Sequence, residues 1–175
     1  MEYTDMQPDP IPSTPAPSTP GETPDLNDPS RRRGVVAVIF RDKRLLVIRR
    51  SQTVTAPGTL CLPGGGIEEG ETEREALLRE MQEELHLDVT PIRLCWRNTT
   101  SWGTHLAWWY ASISDEQSPK ANPEEVAEVF WMTKSEIKRS ESMLPSLPDF
   151  IEAMERNEVE LNPLLRSEEH TSELQ

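Results

Sequence analysis

The spacing of hydrophobic residues changes along the chain, and these changes predict its secondary structure. Alternating or continuous β-branched runs are typical of strands, whereas apolar residues that recur every three or four positions indicate a helix. The first pattern predicts strands at 34–40, 44–49, 59–62, 89–99, 105–113 and 126–131. The second predicts helices that begin near positions 73, 133 and 146. Strands on both sides of a long helix, without regular βαβ alternation, favour an α+β fold or a mixed-sheet sandwich.

Turn and capping signals refine these bounds. Positions 41–42 can join the first two strands as a hairpin, and positions 101–103 are a plausible turn between two later strands. Thr72 and Glu75 match the S/T-x-x-E capping box, which predicts that the long helix begins at the residue after Thr72. Before it, the sequence PGGG at 63–66 predicts a flexible turn whose backbone can approach a phosphate or a metal closely.

One face of the long helix is acidic. Glu80, Glu83 and Glu84 lie at i, i+3 and i+4, so they share a face, and like charges at that spacing repel by about 0.2–0.5 kcal/mol per pair. A divalent cation would turn this arrangement into a binding site, because hard cations such as Mg²⁺ take oxygen ligands. Arg79 precedes Glu80 and is placed to hold a carboxylate by charge-assisted hydrogen bonds.

The segment from Gly65 to Leu87 resembles the Nudix box, G-x5-E-x7-R-E-U-x-E-E-x-G-U, in which U is a bulky aliphatic residue. The positions that match are Gly65, Glu71, Arg79, Glu80, Met81, Glu83, Glu84 and Leu87. The resemblance extends over roughly residues 33 to 160. It implies the Nudix fold, in which helices flank a mixed β-sheet as an α/β/α sandwich.

One position departs from the box, because His86 stands where the second glycine is expected. A glycine that ends a helix commonly adopts a left-handed backbone, and histidine is among the other residues enriched in that conformation. We expect the histidine to cost about 1 kcal/mol of stability and to carry no ligand.

The resemblance also implies a metal-dependent hydrolase. In Nudix enzymes the box holds Mg²⁺ or Mn²⁺ against substrate phosphates, and water attacks a diphosphate bond that links a nucleoside phosphate to a second group. By resemblance, Glu83 and Glu84 are the best metal ligands, and Glu80 is a further ligand or the general base. The resemblance implies the backbone carbonyl of Gly65 or of its neighbour as another metal ligand. Arg79 would orient Glu80, and Glu71 would support the site.

Several residues outside the helix are candidates for the substrate or the metal. Family members often add a carboxylate from beyond the box, and the sequence leaves Glu124, Glu125 and Glu128 open for that role. The predicted substrate-binding residues are Arg49, Gly64, Gly65 and Trp102. Arg49 and its neighbour Arg50, at a strand end, are placed to meet a phosphate, although exposed arginine is the common alternative.

The chain contains five tryptophans, and one of them can stack on a base, since such stacking gives about 1–3 kcal/mol. Core packing is the ordinary alternative for each of them. Adjacent Trp108 and Trp109 must face opposite sides of a strand.

Three functions remain open on the sequence. The favoured one is hydrolysis of a nucleoside diphosphate derivative, with an oxidised or non-standard nucleoside triphosphate as the preferred substrate. The second is a catalytically inactive Nudix-fold module with a nucleotide-binding or regulatory role. The third is an isomerase that uses the same fold on a prenyl diphosphate, which is weaker because its cysteine-centred active site is not evident.

Composition narrows the range of partners. The formal net charge of −13, from 31 acids and 18 bases, disfavours a nucleic-acid polymer, whose backbone is itself negative. No segment has the apolar length of a membrane span, and Cys61 and Cys95 lie in apolar runs typical of core residues in a reducing compartment. We therefore expect a cytoplasmic protein, either a monomer or a homodimer, that acts on a small molecule.

The chain divides into three predicted parts. Residues 1–32 include eight of the 16 prolines and form a predicted disordered acidic tail. Residues 33–165 form the predicted Nudix domain. Residues 166–175, RSEEHTSELQ, match the translation of a sequencing-library adapter, so we expect them to be non-native.

Overall fold

A computed structural model of the chain describes residues 32–161, so most of the predicted acidic tail and the whole predicted non-native tail lie outside the described residues. Every predicted strand and helix within this range is present. The elements in chain order are β1 (Arg33–Val38), β2 (Phe40–Arg41), β3 (Arg44–Arg50), β4 (Leu60–Cys61), β5 (Gly64–Gly66), α1 (Glu73–Leu85), β6 (Thr90–Thr99), β7 (His105–Ser112), β8 (Val126–Met132), α2 (Lys134–Lys138) and α3 (Ser146–Glu155).

The strands form two four-stranded sheets. The first has the order β5-β1-β7-β6, and it is mixed, because β1 and β7 run parallel while the other neighbours are antiparallel. The second is antiparallel and is built on β3, which pairs with β2, β4 and β8. A mixed sheet is therefore confirmed.

Helices cover both faces of these sheets. Successive residues of a strand point to opposite faces. In β1, Val35 and Ala37 lie in the apolar cluster that contains the buried side of α1, whereas Val36 and Val38 lie in the cluster that contains Phe150 of α3. The apolar residues of β3 divide between the same two clusters. The expected α/β/α arrangement is confirmed, with β1 and β3 buried on both faces.

The predicted hairpin between the first two strands is only partly correct. The short β2 pairs with β3 across a turn at Asp42 and Lys43, whose φ angles of 49° and 61° are those of a tight hairpin turn. The preceding β1 pairs instead with β5 and β7, so the chain crosses from one sheet to the other near Ile39. Because β1 is apolar on both faces, its sequence carries no signal for its partner strand.

The capping box of α1 is confirmed. Thr72 accepts a hydrogen bond from the Glu75 backbone N–H at 3.2 Å, and the Glu75 carboxylate accepts one from the Thr72 backbone N–H at 2.8 Å. The two bonds satisfy donors that the first turn of a helix leaves open. They fix where α1 begins, and therefore where its acidic residues lie relative to β5.

His86 adopts the left-handed conformation expected of it, with φ 53° and ψ 40°. Its backbone N–H donates to the Gln82 carbonyl at the end of α1, and its ring Nδ1 lies 3.0 Å from the Lys120 carbonyl oxygen. The histidine therefore ends the helix as a glycine would, and it also makes a side-chain hydrogen bond to a neighbouring loop.

Replacing His86 with alanine should lower the free energy of unfolding by about 1 kcal/mol, because alanine keeps the left-handed strain and loses the bond to Lys120. Glycine loses the same bond but relieves the strain, so its loss should be smaller. Urea denaturation of both variants measures the difference. An alanine variant as stable as the parent would show that the contact with Lys120 contributes nothing.

Both cysteines are buried and free, as predicted for core residues. Burial raises the pKa of each thiol to about 12. A thiol with so high a pKa is almost entirely protonated at neutral pH and is a poor nucleophile. No helix within the described range is long and apolar enough to cross a membrane.

Candidate active site

The glycine segment before α1 is a strand in the structure, which differs from the flexible turn predicted for it. β5 pairs antiparallel with β1, with Gly65 opposite Val35. A Cβ atom on Gly65 would collide with the carboxylate of Glu80, and one on Gly64 would collide with the Val35 carbonyl. Glycine is therefore required here because the backbone of β5 lies directly against both a helix side chain and the neighbouring strand.

Three carboxylates meet beside β5. Glu80, Glu84 and Glu125 each offer an oxygen, and these oxygens lie within 4.8 Å of one another. Glu80 and Glu84 are 7% and 3% exposed, and Glu84 accepts a hydrogen bond of 2.9 Å from the Gly64 backbone N–H. Glu125 comes from the loop before β8. We call these three residues the acidic cluster.

The electrostatics of the acidic cluster suit a cation. Burial raises the pKa of Glu84 to about 8, and the charges of Glu80 and Glu125 add to this rise, although the Gly64 N–H and Arg50 oppose it. Burial also raises the pKa of Glu80, against the opposing effect of Arg79. Buried carboxylates of one sign need compensating charge, and their oxygen donors match Mg²⁺ or Mn²⁺. The residues present therefore fit the metal that the family implies.

Arg79 connects the acidic cluster to the loop before α1. Its guanidinium donates to Glu71 at 2.8 Å, to Glu80 at 2.8 Å and to the Gly66 carbonyl at 2.8 Å. The hydrogen bonds from Arg79 and from the Glu68 N–H hold the pKa of Glu71 below its usual value. Arg79 and Glu71 thus occupy positions from which they can orient Glu80, as the box implies.

Glu83 lies outside the acidic cluster. Its half-exposed carboxylate accepts a hydrogen bond of 3.0 Å from Arg79 and does not join the three clustered carboxylates. Glu80 and Glu84, at positions i and i+4 of α1, face β5. Glu83 lies on a neighbouring, more exposed part of the helix surface. The structure favours Glu125 as the third carboxylate, and a ligand role for Glu83 stays a prediction.

Glu124 and Glu128, the other two candidates outside the box, do not join the acidic cluster. Glu128 forms an ion pair of 2.6 Å with Arg49, and the backbone carbonyl of Glu124 accepts hydrogen bonds from Ser51 and Thr53. Of the three candidates outside the box, the structure therefore brings only Glu125 to the site. The sequence could not choose among them, because the choice depends on how the loop at 120–125 contacts α1.

Of the predicted substrate-binding residues, Arg49 is not among those that line the cleft. It is bound by Glu128 and by the Gly58 carbonyl, and it lies over the ring of Phe130. Its neighbour Arg50 lines the cleft described below. The reason is strand alternation together with a bulge: the pairing of β3 with β8 shifts register between the two arginines. The structure therefore favours Arg50 for contact with a ligand in the cleft, and a substrate-binding role for Arg49 stays a prediction.

A cleft of about 370 Å³ adjoins the acidic cluster. Gly64 and Gly65 belong to both, since they line the cleft and contact Glu84 and Glu80. Arginines supply the charge of the cleft, and no Asp or Glu is among the described residues that line it. The lining side chains with charged or large apolar groups are Arg32, Arg33, Arg50, Leu62, Ile67, Trp102, Leu106, Trp108 and Leu144.

The tryptophans divide as strand alternation predicts. Trp108 is buried and stacks on Phe150, with ring centroids 4.5 Å apart and planes inclined by 4°. Trp109 faces the other side and donates to Glu73 at 2.9 Å. Trp102, in the turn between β6 and β7, is 55% exposed and lines the cleft. It is therefore the tryptophan best placed to contact a ligand there.

The family model described as the NUDIX domain matches residues 30–154. The chain belongs to the Nudix family. The Nudix match includes every residue of the acidic cluster, all of β5 and the turn that carries Trp102.

Two individual relatives match about a third of this Nudix chain. A Mycobacterium tuberculosis protein provisionally named 8-oxo-dGTP diphosphatase 2 is 43% identical over 58 residues, which cover 33% of this chain and 41% of the relative. The CTP pyrophosphohydrolase of Escherichia coli K12 is 38% identical over 56 residues, covering 32% and 42%. The matched part thus spans less than half the length of either relative.

The Nudix fold is also seen in solved structures. The MutT protein of Methanosarcina mazei Go1 superposes with a TM-score of 0.62 at 24% identity, over 73% of this chain and 94% of that one. At this identity the likeness supports the fold alone. It agrees with the mixed sheet and flanking helices described above.

Proposed function

We propose that this Nudix chain is a metal-dependent hydrolase that cleaves the diphosphate linkage of a nucleotide with water. The observation that carries the proposal is the position of β5. Its glycines contact two carboxylates of the acidic cluster, and they also line the arginine-containing cleft. A pyrophosphate that lies along β5 would reach the acidic cluster at one end while the rest of the ligand occupies the cleft.

The residues of the acidic cluster would hold Mg²⁺ or Mn²⁺, with Glu83 and the Gly65 carbonyl as additional predicted ligands. When bound, such a metal neutralises phosphate charge and lowers the pKa of water. Glu80 has a carboxylate whose pKa burial raises, which suits a base that accepts the proton of the attacking water. Arg79 would keep that carboxylate oriented through its 2.8 Å hydrogen bond.

The cleft would hold the nucleoside and the phosphates. Arg50 lines it beside the acidic cluster, and a guanidinium binds phosphate oxygens through charge-assisted hydrogen bonds. The exposed indole of Trp102 offers a surface on which a planar base can stack. Apolar side chains and arginines together match a nucleotide, which carries an aromatic base and several negative charges.

For the substrate, we propose a nucleoside triphosphate, including an oxidised one. The names of the two relatives, an 8-oxo-dGTP diphosphatase and a CTP pyrophosphohydrolase, support this class. The reaction would consume one water and release a nucleoside monophosphate and pyrophosphate. A cytoplasmic location and a monomeric or homodimeric state stay predictions.

A substrate panel tests the proposal. The protein is incubated with Mg²⁺ or Mn²⁺ and, in turn, with 8-oxo-dGTP, dGTP, CTP and a nucleotide sugar, and pyrophosphate and monophosphate are measured by ion-exchange chromatography. We expect metal-dependent turnover of a triphosphate that EDTA abolishes. Tight nucleotide binding in calorimetry without turnover under either metal would contradict hydrolysis and support the regulatory alternative.

Arg50 and Arg49 form a matched pair for testing the cleft. Replacing Arg50 with alanine should raise KM by about 10–100-fold, because a charge-assisted hydrogen bond gives about 1.5–3 kcal/mol. Replacing Arg49 with alanine should change KM by less than about fivefold, since it loses contacts with Glu128, Gly58 and Phe130 and none of these three residues lines the cleft. Steady-state kinetics of both variants measures these changes in KM. Equal effects would show that the cleft does not bind the phosphates.

A further inference from the structure

Glu125 is the one member of the acidic cluster that does not belong to α1, so its position depends on a loop. One side of that loop is tied to the end of α1. The backbone N–H of Lys120 donates to the Leu85 carbonyl at 2.8 Å, and that of Asn122 donates to the Glu84 carbonyl at 2.8 Å. The Glu125 N–H then donates to the Asn122 carbonyl at 3.0 Å. These bonds place the start of the turn but leave the carbonyl groups of Glu124 and Glu125 to be held by other partners.

Ser51 forms hydrogen bonds with the other side of this loop. Its backbone N–H donates to the Glu125 carbonyl at 2.9 Å, and its hydroxyl donates to the Glu124 carbonyl at 2.7 Å. The side chain is buried, with the residue 5% exposed. The hydroxyl of Thr53 reaches the same Glu124 carbonyl and lies 2.8 Å from the Ser51 hydroxyl. Two successive peptide groups of the Glu125 turn are therefore bound to one buried serine.

Ser51 lies just beyond the end of the pairing between β3 and β8. The pairing of β3 with β8 shifts register between Arg49 and Arg50, and Arg50 is the last residue of β3. The bulge lies between the Arg49–Glu128 and Arg50–Val126 pairs, and the pairing ends at Val126, so residues 124–125 lie beyond the ladder. Ser51 follows Arg50 directly, and its two bonds extend the connection to residues 124–125. The serine hydroxyl thus adds, next to the acidic cluster, a bond to the Glu124 carbonyl that the ladder does not provide.

We propose that Ser51 is a positioning residue that keeps the Glu125 carboxylate within reach of Glu80 and Glu84. The proposal rests on the metal site of the proposed function. Three carboxylates within 4.8 Å repel one another, and Glu125 is carried by a loop, so it is the member that can move away. The bonds from Ser51 oppose this movement. Ser51 would act through the backbone of the Glu125 turn, because its hydroxyl donates to the Glu124 carbonyl.

The test measures Mn²⁺ binding by calorimetry, with no nucleotide present. Removing a residue that orients a metal ligand typically weakens binding by about 10–100-fold, so Ser51→Ala should weaken Mn²⁺ binding within that range. Ser140→Ala is the matched control, since it also removes a serine hydroxyl bonded to a carbonyl, that of Glu136 on α2. It should leave the Mn²⁺ affinity of the parent unchanged.

A double variant shows whether the effect passes through Glu125. In a Glu125→Gln background, Ser51→Ala should change Mn²⁺ affinity by less than about twofold, because coupled residues are not additive. An equal loss in both backgrounds, or no loss in the parent background, would overturn the positioning role. A parent protein that does not bind Mn²⁺ at all would instead remove the proposed function, and this role with it.

Thr53→Val provides a second variant in case Ser51→Ala fails to fold. Thr53 is exposed and shares the Glu124 carbonyl with Ser51, so its loss should weaken Mn²⁺ binding in the same direction but by less. Circular dichroism of each variant establishes that it is folded. A folded Thr53→Val protein with parental affinity, together with an unfolded Ser51→Ala protein, would count against the proposal and indicate a purely structural serine.

Discussion

Replacing Glu84 with glutamine is expected to lower kcat/KM by at least about 100-fold, because the loss of even an outer partner of a metal ligand costs about 10–100-fold. Glutamine has nearly the same shape and can still accept the hydrogen bond from the Gly64 N–H, so the change removes mainly a charge. Steady-state hydrolysis of the best triphosphate substrate, measured across a range of Mg²⁺ concentrations, provides the test. Part of the loss should be recovered at high Mg²⁺.

Glu141→Gln is the control for this variant, since Glu141 is exposed on the loop before α3 and the net charge changes by the same amount. It should leave kcat/KM unaltered. If Glu84→Gln hydrolysed the substrate at the parental rate, the acidic cluster could not be the centre of the reaction. Comparison with Glu83→Gln also ranks the two residues, and we expect the smaller effect from Glu83 because it lies outside the acidic cluster.

The metal-free protein should lose stability as pH rises from about 4.5 to about 8. The carboxyl of Glu84 has a pKa raised from 4.5 to about 8, so within this window the folded protein keeps a proton that the unfolded chain has released. Stability falls with rising pH wherever the folded state binds more protons. The residue is almost fully buried, so the expected loss is on the order of a few kcal/mol, or roughly 10 °C in Tm.

Thermal unfolding in EDTA across that window measures the effect. Mg²⁺ or Mn²⁺ should reverse it, because a bound cation favours the ionised carboxylates. Glu84→Gln should unfold at a higher temperature than the parent at the alkaline end, and its remaining pH dependence should come from Glu80, whose pKa burial also raises. A parental Tm that stays constant across the window would refute the account of the buried charges.

The predicted loss of turnover and the predicted loss of stability with rising pH both depend on Glu84. The carboxylate whose removal should nearly abolish turnover is the one whose charge destabilises the metal-free fold. Binding sites often hold side chains at a cost to stability. In the acidic cluster the cost has a physical origin, since two carboxylates of one helix are buried against the backbone of β5 with a third beside them.

Local signals predicted the local structure well. The bounds of α1 follow from the Thr72 capping box and from the periodic apolar residues, and both depend only on neighbouring residues. The left-handed conformation of His86 was predictable for the same reason, because a helix end needs such a residue whatever surrounds it. The i, i+4 spacing likewise placed Glu80 and Glu84 on one face.

Features that depend on distant contacts were not predictable in this way. The sequence could not show that β1 pairs with β7, since strand pairing is decided by which apolar faces meet. It could not show that Arg50 lines the cleft while Arg49 binds Glu128, because a bulge in the β3–β8 pairing cannot be detected without the partner strand. It left Glu125 as one of three candidates, because the choice depends on hydrogen bonds from Ser51 to the loop and from the loop to the end of α1.

The most direct test of the central claim is anomalous diffraction from crystals of the full chain soaked in Mn²⁺. The account predicts a manganese peak coordinated by oxygens of Glu80, Glu84 and Glu125, next to the backbone of Gly65. A manganese site elsewhere on a catalytically active protein, or none at all, would contradict it.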